Sequence, residues 1–170
     1  MVKVTRNFAM DTLPEDRFFI EKAIALAYEG MRKGAGGPFG ALVVRDGKIL
    51  GEGHNQVIGD NDPTAHAEIV AIRNACRDLG HFQLEGCTIY CSSEPCPMCM
   101  GAIYWARPER IVFATSHQDA AQYAQFDDQF IYDELKLSLE ERKIHAAQLL
   151  REEGLKLFAE WRGMDEKRLY

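Results

Sequence analysis

A chain of 170 residues, 46% of them hydrophobic, can bury one substantial core and is too short to expect two, so residues 1 to 170 are read as a single domain. The formal net charge of −6, with no block of Lys and Arg, offers no footprint for a polyanionic partner, so neither nucleic acid nor a membrane is the expected ligand. The opening MVKVTRNFAMDTLPED lacks the apolar run of a signal peptide, and the longest charge-free stretch, Pro95 to Ala106, is far short of a membrane span, so a soluble, cytoplasmic protein with reduced thiols is expected.

In chain order, residues 14 to 34 carry Ile20, Ala23, Ile24, Ala27 and Met31 at helical spacing, opened by Pro14 with Glu15 and Asp16 in the first turn and closed by Gly34. FGALVV and KILGEG flank Asp46-Gly47, a pair that supplies the positive φ angles of a two-residue hairpin turn. A second helix is expected from about Thr64 to Leu79, with Ala65, Ile69, Ile72, Cys76 and Leu79 on one face and Gly80 as its stop. CTIYCS reads as a buried strand, PMCMGAIYWA as a helix with Pro97 near its first position, and RIVFAT as another buried strand after Pro108. The tail adds a helix at 127 to 136, a strand at 144 to 150 and an amphipathic helix around Leu155, Phe158, Ala159 and Trp161. Helices alternating with strands beside a hairpin predict an α/β fold, a three-layer α/β/α sandwich around a mixed sheet.

Five cysteines, at 76, 87, 91, 96 and 99, are an odd number with no small secreted scaffold around them, which favours metal or catalytic use over disulfides. Cys96 and Cys99 lie in EPCPMC, a pair whose spacing alone suits half a zinc site, a redox couple or two small buried hydrophobes. TAHAE, residues 64 to 68, places His66 thirty positions earlier, also where a strand or loop gives way to a helix. One imidazole and two thiolates leave the fourth tetrahedral position of a zinc ion open for water, the mark of a catalytic rather than a structural site. Helix N-termini favour the thiolate forms that bind the metal. Glu68, two residues beyond His66, is about 200° around a helix from it and so is no natural fourth ligand; it is placed to carry protons beside the metal. The combination of H-x-E with P-C-x-x-C is the signature of zinc-dependent nucleobase deaminases. Cys76, Cys87 and Cys91 read as core packing, and His54, His81, His117 and His145 as surface or structural residues.

GGPFGALVV, NDPTAHAEIVAIRNAC, SSEPCPMCMGAIYWARP and FDDQFIYDE together resemble the bacterial guanine deaminases of the cytidine deaminase-like superfamily. The resemblance implies His66, Cys96 and Cys99 as ligands of one Zn²⁺ per chain and Glu68 as the proton shuttle. It implies that Asn55 and Ala67 contact a purine base, that Phe39 and Trp105 wall the pocket, and that Asp128 and Tyr170 contribute from the tail. Asp127 stands beside Asp128 and competes with it for that role. The implied reaction is deamination of guanine to xanthine and ammonia by a homodimer whose tail, from about residue 120, crosses to the partner. Read without the resemblance, Asn55 closes the turn after the hairpin and Asp128 caps a helix. Deamination of cytosine, deamination of adenosine in tRNA and a noncatalytic zinc-stabilised binding module remain the rival readings.

Overall fold

The computed structural model describes residues 12 to 169. Asp46 and Gly47, at φ of 51° and 73°, turn the chain between β1 (Gly40–Arg45) and β2 (Lys48–His54), as the Asp-Gly pair predicts. β1 then pairs antiparallel with β3 (Thr88–Ser93) on its other side, and β3 pairs parallel with β4 (Arg110–Thr115), giving a mixed sheet in the order β2-β1-β3-β4. The parallel pair is joined by α3 (Pro97–Ala106), which opens on Pro97.

Alternation along β1 distributes its residues to two cores. Leu42 and Val44 face α1 (Asp16–Arg32), packing with Phe19, Ala23 and Tyr90. Ala41 and Val43 face α2 (Ala67–Leu79) and α3, packing with Ala67, Ala71, Ala75, Ile89 and Ile103. Helices therefore cover both faces, the expected three layers. Asp16, the first residue of α1, is buried and fully partnered: the Tyr90 hydroxyl donates to it at 2.8 Å, the Leu13 N–H at 2.7 Å and the Arg110 guanidinium at 3.0 Å. The Arg110 bonds hold its carboxyl below the ordinary value.

Two expectations for α2 are corrected. It begins at Ala67 rather than Thr64, because Asp62 accepts hydrogen bonds from the Thr64 N–H and hydroxyl, both at 2.8 Å, and winds the preceding residues into a turn. Its fully buried stripe is Ala67, Ala71 and Ala75, while Ile69, Ile72, Cys76 and Leu79 are only half-buried. β2 explains the choice: a Cβ at Gly51 would lie 2.5 Å from the Ala71 carbonyl, and one at Gly53 would lie 2.6 Å from that of Ala67. Two glycines on the strand meet three alanines on the helix, and backbone packs almost on backbone. Gly80, at φ 63°, ends the helix as expected.

Beyond β4 the chain changes character. α4 (His117–Ala124), unanticipated, is followed by α5 (Gln129–Lys136) and α6 (Arg151–Gly163), near the expected positions. None of the three has a buried residue. The strand expected at 144 to 150 is absent; that segment has no regular structure, and Ile144 and Leu149 are each 84% exposed. No helix among the described residues is long and apolar enough to cross a membrane.

Candidate active site

The metal-ligand candidates come from two helix starts set side by side. His66 is the extended residue preceding α2 (φ −68°, ψ 155°), Cys96 holds the same place before α3 (φ −65°, ψ 168°), and Cys99 follows in the first turn. His66 Nδ1 lies 3.5 Å from Cys96 Sγ and 3.6 Å from Cys99 Sγ, and the three donor atoms all fall within 4.8 Å of one another. Zinc bonds of about 2.3 Å to sulfur and about 2.0 Å to nitrogen at a tetrahedral angle require N···S edges of about 3.6 Å, so the donors present fit the ion. The Cys99 thiol, donating to Cys96, and the His66 imidazole beside it bring Cys96 down to about 4, while the same bond and burial push Cys99 up. Both cysteines must be thiolates to hold the metal, so metal binding would release protons from the site.

Glu68, in the first turn of α2, is 8% exposed and lies outside this donor cluster. Burial pushes its carboxyl above the ordinary value. It opens onto a cleft of about 260 Å³ floored by His66 and Cys96 and bounded by Phe39. The opposite wall comes from the tail: His117, Ala120, Gln125, Phe126, Asp127 and Asp128. The Phe126 ring meets Phe39 edge to face with centroids 4.9 Å apart.

Asn55 is buried next to the cleft residue Phe39, whose carbonyl accepts from the Asn55 N–H at 2.9 Å, and its amide is oriented by the backbone. Its Oδ1 accepts from the N–H groups of Gly37 (3.3 Å) and Val57 (3.2 Å), so the side chain does close the turn, and only its NH₂ donors remain for a ligand. A Cβ at Gly36 would stand 2.0 Å from that oxygen. The adjacent acids also separate. Asp127 Oδ1 accepts from the Gln129 N–H at 2.9 Å, whereas Asp128, though it precedes α5, makes no side-chain capping bond and faces the cleft. Burial, then the neighbouring Cys96 charge, raise the Asp128 carboxyl above its ordinary value.

Ala67 is buried at the start of α2, beside the cleft residues His66 and Glu68. Trp105 is not brought to the cleft of its own chain: it is 64% exposed and lies in a separate groove with Ile72, Phe82, Ala102 and Ala106. Six residues separate it from Cys99, about 240° around a helix, so the two face different sides of α3. Tyr170 lies outside the described residues. Sequence reasoning missed Ser93, Glu94, His117 and Phe126, all of which line the cleft. Of the two readings of His117, surface or structural, the second describes it: with its side chain 23% exposed, it bonds its cleft neighbour Glu94 at 2.8 Å. Ser116-x-x-Asp119, which forms a capping box, was the local signal that could have located α4 and with it His117.

The family model for the cytidine and deoxycytidylate deaminase zinc-binding region matches residues 13 to 115, which hold every donor of the site. The guanine deaminase of Bacillus subtilis (strain 168) is 53% identical over 152 residues, 89% of this chain and 97% of that protein. The X-ray structure of a guanine deaminase from Bacillus subtilis superposes with a TM-score of 0.88 at 52% identity, covering 91% of this chain and 98% of that one. A tRNA-specific adenosine deaminase of Buchnera aphidicola is 42% identical over 104 residues, 61% of this chain and 68% of that protein. With the zinc-binding model spanning more than half its length and a relative aligned almost end to end, the chain belongs to the cytidine and deoxycytidylate deaminase family.

Proposed function

We infer that this protein is a zinc-dependent guanine deaminase, which adds water to guanine and releases xanthine and ammonia. The observation that carries the chemistry is the donor triangle of His66, Cys96 and Cys99 with the buried Glu68 carboxyl beside it at the floor of one cleft. The relative named a guanine deaminase carries the substrate: its match includes the tail, whereas the tRNA-specific relative aligns with 61% of the chain.

Zinc held by the three donors supplies Lewis acidity that brings hydroxide within reach at neutral pH. The other steps belong to the chain. As water adds to C2, Glu68 takes its proton and delivers it to N3, then moves a second proton to the amino group, which leaves as ammonia rather than an amide anion. Asn55, its oxygen held by two backbone N–H groups, donates to an acceptor on the purine edge such as O6. Asp128 accepts from the ring donors, and Phe39 with Phe126 encloses the base and excludes water.

Each chain would form one domain with its tail shared in a homodimer. The support is physical: α6 leaves Phe158 67% and Leu157 65% exposed, β4 stands at the sheet edge, and the apolar segment 144 to 150 has no strand partner. That segment from a second copy would complete the partner's sheet and lay its α6 on the partner's surface, where Trp105 and the terminal Tyr170 could close a neighbouring cleft. The test of function is ammonia release by zinc-loaded protein at matched concentrations of guanine, guanosine, adenine, cytosine and cytidine. Guanine is expected to lead; a preference for cytosine would overturn the substrate assignment, and no release from any base would leave a zinc-stabilised binding module.

A further inference from the structure

Glu94 lies between β3 and α3, two residues before the ligand Cys96, and belongs to none of the roles described so far. One of its oxygens, Oε2, accepts two hydrogen bonds from one residue beyond the adjacent strand β4: the His117 backbone N–H at 3.0 Å and the His117 ring Nδ1–H at 2.8 Å. His117 is the first residue of α4, the helix that leads to the tail wall of the cleft. We propose that Glu94 and His117 form a positioning clip that sets this wall, and with it guanine binding, against the metal site; this rests on the guanine deaminase reading.

Three observations carry the inference. Neither α4 nor α5 has a buried residue, so core packing does not fix their orientation and polar contacts must. α4 can transmit what is set at its first residue. Its start is locked by the reciprocal Ser116 and Asp119 bonds, and its end by left-handed Gln125 (φ 61°) with the Phe126 N–H bonded to the Ala120 carbonyl at 3.2 Å. What lies immediately beyond is the recognition surface, Phe126 against Phe39 and then Asp128. The His117 ring also lies 5.5 Å from that of Tyr132 in α5, so the clip touches the wall on both sides of Asp128.

A clip that acts through Phe126 and Asp128 should affect substrate capture more than metal binding or the chemical step. The experiment measures zinc content, KM and kcat for guanine, and competitive inhibition by xanthine in the parent, His117→Ala and His117→Asn. In His117→Ala, KM and the xanthine inhibition constant should rise about tenfold or more, the usual effect of losing a charge-assisted hydrogen bond, with zinc unchanged and kcat changed far less. His117→Asn, whose side-chain N–H can replace Nδ1–H, should recover most of the loss, which a merely space-filling role for the ring would not. Should His117→Ala fail to fold, Glu94→Gln, which keeps the shape and loses the charge, takes its place with the same expected rise. Parent-like KM in the substituted protein, or an Asn variant as impaired as Ala, would overturn the clip. A parent without guanine turnover would overturn the function, and the clip with it.

Discussion

Residues 16 to 115 and residues 116 to 169 follow different rules. In the first region each helix faces a sheet, alanines meet glycines at backbone distance, and the one charge buried at the start of α1 is matched by Arg110 and Tyr90. In the second, three helices leave every residue at least partly accessible. The metal donors and Glu68 belong wholly to the first region; Phe126 and Asp128, the far wall of the cleft, belong to the second. Bond-making needs donor atoms held to tenths of an ångström, which close packing provides. In the proposed function, recognition falls to a segment held by a few local contacts and, in the proposed dimer, by a second copy.

Substitutions in the two regions should therefore fail differently. The largest effect is expected at Glu68: Glu68→Gln should lower kcat by about 10² to 10⁴ while zinc content and the folded spectrum stay as they are. Loss of zinc would make it a ligand, and near-normal turnover would remove it from the reaction. Cys96→Ala and Cys99→Ala should instead lose the metal, by elemental analysis, while Cys87→Ala keeps it.

Breaking the packed region away from the metal should act on stability. Asp16→Asn leaves Arg110 with a neutral partner and should lower unfolding free energy by about 2 kcal/mol in urea titrations, with the zinc site unaltered. Because the Arg110 bonds lower the Asp16 pKa below 3.8, its contribution is present above that pH and is lost as pH falls through the lower folded value. The parent should lose this increment on acidification and Asp16→Asn should not.

Still within the first region, Gly36→Ala presses on Asn55 Oδ1 and should raise KM for guanine about tenfold with zinc retained. The smallest change is expected from removing residues 165 to 170: a fall of severalfold in kcat/KM through a wetter site, with zinc content unchanged. Mixing Glu68→Gln chains with chains truncated before Ile144, which keep their own Asp128, sharpens the comparison further. Regained activity requires that a tail serve its partner, and none would confine each tail to its own chain.

Much of the first region was legible because its signals are local. Asp46-Gly47 demands positive φ wherever it falls, Gly80 ends a helix by its own backbone freedom, and Pro97 opens one by lacking an N–H. His66, Cys96 and Cys99 were recognisable because zinc accepts few donor types and because a helix start favours the thiolate form that binds it. Tertiary structure alone decided what depends on neighbours distant in sequence. α2 buries its alanines rather than its isoleucines because Gly51 and Gly53 admit the backbone. Asn55 keeps only its donors because Gly37 and Val57 occupy its oxygen, and Asp128 rather than Asp127 is left uncommitted because the Gln129 N–H claims the other. Trp105 is turned from its own cleft by the helical rotation that brings Cys99 to the metal. The segment 144 to 150 has the composition of a strand, but a strand also needs a partner to pair with, and among the described residues this segment meets none.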